Sequence, residues 1–357
     1  MPAGFNLMQW QVFSQADYPA NLWFDWDYIN EQWHNGNPLL SSSFISLLCQ
    51  YVKPNLFVAV AKDGHRSSAM LLLEKSQTGI WQIFKPSQAT LALLVIAPDC
   101  QLSLQQLFKL LPGLCYRIDF ISLDPAEHQN IIALQSRKDL TAKATNIRID
   151  VTSDFGQYWS ERPKKLKANV KRYQNRFEEE QGAVRFSHLT SVQDVQNAVD
   201  RYGMLESKGW KGKQGTALHP SNYQGQFYRQ FLTLQAQQQS ALVIEMYIGE
   251  QLIASRLCCF HNGLLIALKT SFDEAYKRYA VGRLLLKELI RWGFERTDIS
   301  TIDFYTNASA EQIEWATEQR PMFNTSIYSA NLPGIALSFL SHTKMRMKRK
   351  QTEVSVD

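Results

Sequence analysis

The sequence predicts an α/β protein with an α+β mixed sheet, built as two tandem copies of one lobe, the first of them degenerate. Three observations lead there. Residues 241–304 read strand, strand, strand, helix, strand; residues 56–123 repeat that order. The last strand of each copy carries the same tripeptide, Ile118-Asp119-Phe120 and Ile302-Asp303-Phe304, 184 residues apart. A chain of 357 residues also exceeds what one ordinary core holds. The pattern divides it into a lobe at 1–145, a lobe at 146–330, and a C-terminal helix with a basic tail at 331–357.

In the first copy, strands are expected at Leu56–Ala61 and Ser67–Glu74, separated by the turn Asp63-Gly64. Thr78-Gly79 turns the chain into Ile80–Phe84. Leu91–Ala97, a helix near Leu102–Leu111 and the strand Tyr116–Leu123 follow. A helix is expected over 163–180, because Leu166, Val170, Tyr173 and Phe177 fall on one stripe. Lys164, Lys165, Lys167, Lys171, Arg172 and Arg176 lie off that stripe and make a basic face, either solvated or an anion clamp. The second copy begins with Ala241–Ile248, turns at Gly249-Glu250, and continues through Leu252–Phe260 and Leu264–Thr270. Glu245, mid-strand, is expected to face solvent. A helix from Ala280 to Glu295 carries Leu285, Leu286, Leu289, Ile290 and Trp292 at helical spacing, and Thr301–Tyr305 reads as a strand. Strand, helix, strand over that length implies a right-handed parallel crossover.

Composition excludes several classes. The chain is 45% hydrophobic and 20% charged, which is globular and not disordered. Apolar runs fall far short of the roughly 20 residues a spanning helix needs. Residues 1–10 lack the pattern of an export signal, so a cytoplasmic protein is expected. The five cysteines include no C-x-x-C pair and the seven histidines no ligand spacing, so no metal is expected. Charge is uneven: residues 1–150 hold 11 basic and 12 acidic residues, residues 151–357 hold 27 and 21. A polyanionic ligand is therefore expected in the second half. The segment Lys344–Lys350 (KMRMKRK) behind apolar Ile335–Leu340 also allows peripheral contact with an anionic inner membrane.

The chemistry points to Lys277-Arg278-Tyr279-Ala280-Val281-Gly282-Arg283. A diphosphate is held best by backbone N–H groups at a helix start, reached through small side chains. Ala280 and Gly282 supply the access; Arg278 and Arg283 supply positive charge. The equivalent place in the first copy reads Pro98-Asp99-Cys100, with no glycine and a carboxylate in its place. Cofactor binding is thus expected in the second lobe alone.

This order and loop resemble the GNAT acyltransferase superfamily, whose phosphate loop reads Gln/Arg-x-x-Gly-x-Gly/Ala, against Lys277-x-x-Ala280-x-Gly282 here. A closer similarity is to the cellulose-biosynthesis-associated (CelD/BcsL-like) acetyltransferase branch, which is related to the FemAB peptidyltransferases. The residues that carry it are Glu206, Lys208, Gly209, Trp210-Lys211-Gly212 and Gly215. Leu268-Lys269-Thr270-Ser271-Phe272-Asp273 with Tyr276, and Gly282-Arg283-Leu284-Leu285, complete the set. The branch's proline before the loop glycine is Val281 here, and its lysine after the Asp-Phe strand is missing.

The resemblance implies two GNAT-like lobes, the first degenerate, and acetyl-CoA or another acyl-CoA as co-substrate. A small-molecule or saccharide acceptor is implied, and nucleic acid is not. Thr270 and Ser271, on a splayed strand, would bind the thioester with the 277–283 loop. Tyr305 would be the acid, Glu206 or Asp303 the base, and Lys269 a charge stabiliser. Trp210 and Lys211 would line the acceptor. Two other readings stay open: a FemAB-like aminoacyltransferase using aminoacyl-tRNA, and a non-catalytic scaffold of a biosynthetic complex.

Overall fold

The computed structural model describes residues 9–19, 21–52, 55–64, 66–100, 102–209, 212, 214–215, 217–341 and 343. It divides into two units that are not consecutive blocks of chain. One holds residues 1–34, 54–143 and 321–357; the other holds 35–53 and 144–320. Residues 35–53 thus group with the second lobe, and residues 321–357 with the first.

In the first unit, β1 (Gln9–Ser14), β2 (Leu56–Asp63), β3 (Arg66–Gln77), β4 (Gly79–Ile83) and β6 (Cys115–Leu123) lie side by side, followed by β13 (Glu318–Tyr328). Only β4 and β6 are parallel. The stretch expected as a strand at Leu91–Ala97 forms one over three residues only, β5 (Leu94–Ile96). It pairs with β3 off the main path. The crossover helix is Leu104–Leu110. Alternation buries Trp81, Ile83, Ile118 and Phe120, while β3 is buried on both faces from Ser67 to Leu73.

In the second unit the order is β7 (Thr141–Asp150), β12 (Ile299–Asp303), β11 (Gly263–Phe272), β10 (Gln251–His261), β9 (Ala241–Ile248) and β8 (Val184–Leu189). The meander expected from the two tight turns forms as β9–β10–β11. The helix Val281–Phe294 then carries the chain to β12, parallel to β11. One face of this sheet packs against that helix and the basic helix Lys164–Gln181 through Leu166, Val170, Phe177, Leu285, Leu289 and Ile290. The basic residues Lys164, Lys165, Lys171, Arg172 and Arg176 stay exposed. Helices Val192–Lys208 and Tyr223–Gln237 contact the strands as well. Phe44, on the helix Ser42–Val52, sits edge-on to Phe227 at 5.5 Å and Phe231 at 5.0 Å, which ties residues 35–53 into this unit.

The two lobes agree in register as well as in order. In the first, Gly79 opposes Cys115, and a shift then sets Ile80 against Arg117, Trp81 against Ile118 and Gln82 against Asp119. In the second, Gly263 opposes Ile299, and the same shift sets Leu264 against Thr301, Leu265 against Ile302 and Ile266 against Asp303. The offset of 184 residues holds at each pair. Both glycines have positive φ, +74° and +82°. A Cβ on Gly79 would lie 2.5 Å from the Tyr116 ring, and one on Gly263 2.7 Å from Ser300 Oγ, again equivalent positions. No described helix is long and apolar enough to cross a membrane.

Candidate functional site

The parallel pair β11–β12 closes only over Gly263–Ile266; after Ile266 and Asp303 the strands part. The remainder of β11, Ala267–Phe272, pairs with β10 alone among the described residues. A register shift between Leu257 and Cys258 leaves Leu268 as an extra residue, a bulge that bends β11 where it leaves its neighbour. Thr270 and Ser271 stand on this opened length, opposite Arg256 and Ser255. Polar backbone along an unpaired strand edge seeks a hydrogen-bond partner.

Beyond β11, Asp273 Oδ1 accepts from the Ala275 N–H at 3.0 Å and starts a 3₁₀ turn, Glu274–Tyr279. Ala280 then takes a left-handed conformation (φ 51°, ψ 43°) that reverses the chain into the helix Val281–Phe294. The first amides of a helix have no intrahelical partner; Val281 is fully buried, and half-buried Gly282 carries the amide that a ligand could reach. A Cβ on Gly282 would meet only the Phe272 ring, at 3.7 Å, which is ordinary contact. A small side chain and a helix-start amide therefore coexist at Gly282.

The arginines of the loop are engaged. Arg278 donates to Glu180 and stacks 4.6 Å above Tyr279, whose buried ring has its hydroxyl bonded to Glu180 and Gln181. Arg283 pairs with Glu311 at 2.5 Å and lies 5.7 Å from the Tyr173 ring centroid. Lys277 is exposed and has no ion pair among the described residues. An anion arriving here competes with two carboxylates.

At the end of β12, Asp303 is an anchor. It is 2% exposed; Oδ1 accepts from Asn146 Nδ2 at 2.7 Å and from the Tyr305 N–H at 3.1 Å, and Oδ2 accepts from Arg320 at 2.5 Å. Both of its oxygens are thus engaged in holding neighbouring groups. What it holds is Tyr305, which lies past the strand, not in it, at φ 40°. The Tyr305 hydroxyl accepts from Asn37 Nδ2 at 3.0 Å while the Arg320 guanidinium lies 5.8 Å from its ring.

A second cluster forms near the opened strand. Glu206, 4% exposed, accepts from the Tyr202 hydroxyl at 3.2 Å and the Leu218 N–H at 2.8 Å. Burial and then Glu206 hold the Tyr202 phenol well above its usual pKa; Arg256 pulls the other way. Burial likewise raises the Tyr228 phenol, with Glu206 adding to the effect, and Lys269 Nζ lies 5.5 Å from the Tyr228 ring centroid. The expected Glu206 and Lys269 thus both act on Tyr228, the first through its charge and the second over its ring. Trp210 and Lys211 lie outside the described residues.

Sequence reading missed Arg256. It is buried on β10, its Nε has no hydrogen-bond partner, and no carboxylate pairs with it among the described residues. Desolvation pushes its pKa down. The adjacent Ser255 Oγ is also buried and unsatisfied. Such orphans suit a ligand that brings acceptors of its own. The available signal was a charged residue inside the apolar strand Leu252–Phe260. Glu245, expected in solvent, is instead buried and held by Arg201 through two bonds of 2.9 and 2.8 Å. Helix Val192–Lys208 covers that face of β9 and supplies the arginine.

Residues 164–312 match the family model described as an acetyltransferase (GNAT) domain. No curated protein sequence matches the chain. Among solved structures, FemX aligns with a TM-score of 0.56 at 8% identity over 90% of this chain and 98% of its own. The C-terminal domain assigned to a lysylphosphatidylglycerol synthetase of Agrobacterium fabrum aligns at 0.52 and 13%, over 88% and 96%. A conserved protein of unknown function from Bacteroides thetaiotaomicron aligns at 0.53 and 10%, over 85% and 96%. At these identities the likeness is one of fold. The fold is a mixed α/β arrangement in which residues 164–312 match a GNAT domain and the first lobe repeats the order and register of the second.

Proposed function

We propose that the chain is an acyl-CoA-dependent N- or O-acyltransferase that moves an acetyl group to a sugar, amino sugar or small amine. Its proposed setting is envelope polysaccharide assembly in the cytoplasm. The observation that carries the reading is the parting of β11 from β12 beside a helix start where Gly282 leaves room for a methyl group. The Gly282 amide at the helix start would meet the diphosphate, with Lys277, Arg278 and Arg283 around it. The edge of β11 near Lys269–Ser271 would place N–H groups at the thioester oxygen. The acceptor's nitrogen or oxygen attacks the thioester carbon and gives its proton to Glu206. The C–S bond breaks, and Tyr305 protonates the departing thiolate. Asp303 holds Tyr305 in place, Lys269 balances charge beside Tyr228, and Trp210 and Lys211 are assigned to the acceptor wall.

Calorimetry with acetyl-CoA and desulfo-CoA tests this. Both should bind; Gly282→Ala should keep binding within a few-fold, since its methyl group has room. Gly282→Glu should abolish it, because a carboxylate would occupy the phosphate's place. Absence of binding by the wild-type chain defeats the proposal.

The exposed basic face of helix Lys164–Gln181 favours a second reading, FemAB-like transfer from aminoacyl-tRNA. In that case the chain binds tRNA with an affinity that falls steeply with salt. A chain that binds neither ligand is a scaffold.

A further inference from the structure

The helix over residues 332–341 turns most of its apolar side chains outward and keeps only Leu337 half-buried among them. Asn331 caps it, accepting from the Gly334 N–H at 3.0 Å, and a Cβ on Gly334 would lie 2.3 Å from the Ser329 carbonyl oxygen. The helix start is therefore pressed against the lobe, and its rotation is fixed. Its half-buried side includes Ser338, which with Ser341 lines a polar cavity beside Asp119, Asn324 and Ser326. Its outer side carries Leu332, Ile335, Ala336, Phe339 and Leu340, spaced i, i+3, i+4, i+7, i+8. Leu332 is 83% exposed, Phe339 73%, Leu340 58% and Ile335 54%. A helix serving only its own lobe turns such a stripe inward and its serines outward. Contiguous exposed apolar surface of this kind marks a contact with something else.

The charge that follows says what. Lys344, Arg346, Lys348, Arg349 and Lys350 come directly after the stripe in sequence, outside the described residues, and bring five positive charges. We propose that the 332–341 stripe and these cations dock the protein on an anionic lipid bilayer. The apolar side chains seat at the boundary between headgroups and acyl chains, and the cations meet lipid phosphates. A second copy of the chain is disfavoured as occupant, because pairing the stripe with itself would bring two polybasic segments together. A nucleic acid would satisfy the cations and leave the stripe in water. This surface does not depend on the acyl-transfer reading.

Flotation of the full chain with phosphatidylcholine vesicles, with and without phosphatidylglycerol, tests it. Binding is expected only where phosphatidylglycerol is present, and should weaken at high salt. The triple variant Ile335→Ser, Phe339→Ser, Leu340→Ser should lose about tenfold or more in partitioning. Neutralising the five cations should have a comparable effect. Thermal melting and light scattering show whether the variants stay folded and of unchanged mass. Equal partitioning of wild type and triple variant overturns the proposal. So does failure to bind anionic vesicles, or a wild-type dimer that the triple variant dissolves.

Discussion

Asp303 accepts from an asparagine, an arginine and a backbone amide, and its substitution should be felt as instability before it is felt as lost chemistry. Asp303→Asn keeps the shape and strips the charge that Arg320 needs, leaving a buried guanidinium uncompensated. The expected cost is about 3 kcal/mol, read as a lowered unfolding midpoint in denaturant. A pure general base would show normal stability and no activity. Sequence alone singled out Asp303 through a repeated tripeptide and Tyr305 as the end of the expected strand, yet it could not see Asn146 and Arg320, which are 157 and 17 residues away from Asp303 along the chain. Arg256 shows the same limit from the other side. Its charge was visible within an apolar strand, but its lack of a partner is a property of packing.

Among the elements, the crossover was the most legible. Two Gly-containing turns and a helical stripe defined β9, β10, β11 and the helix Val281–Phe294 to within a residue or two. Turn chemistry and periodicity are local, so a sequence displays them. The pairings of β7 with β12 and of β13 with β6 join distant stretches and leave no local trace. Gly263 has a testable place in this element. Gly263→Ala would force a side chain into φ +82° and set its Cβ 2.7 Å from Ser300 Oγ. A loss of about 1–3 kcal/mol is expected, measured by denaturant unfolding. The same change at Gly79, against the Tyr116 ring, should cost a similar amount if the lobes share their strand geometry.

Across the whole molecule, acid is the condition to which the fold should be most exposed. His128 in the first lobe is buried; its Nδ1 accepts from the Asp124 N–H, so the ring proton sits on Nε2, 3.1 Å from the Ala92 carbonyl oxygen. Desolvation lowers its pKa to about 4. The unfolded chain therefore binds this proton before the folded one does. The stability it contributes is intact above about pH 6.5 and drains away as pH falls toward 4, by about 3 kcal/mol in all. His128→Gln should flatten that limb of the melting-temperature curve between pH 7 and pH 4. The duplication itself was legible in the order of elements and one tripeptide, and the shared register carries it further. The membership of the two units was not, because contiguity in sequence is the only boundary a linear reading can draw.

That membership bears on how the protein is made. β13, the neighbour of β6, lies more than 190 residues downstream of it, beyond the entire second lobe. As a nascent chain leaves the ribosome, the first lobe emerges early with an open edge on β6, and it waits there while everything up to Tyr328 is translated. The half that is synthesised first is completed last. Through that interval β6 presents unsatisfied peptide groups to any passing strand, a window in which a chaperone would have most to protect.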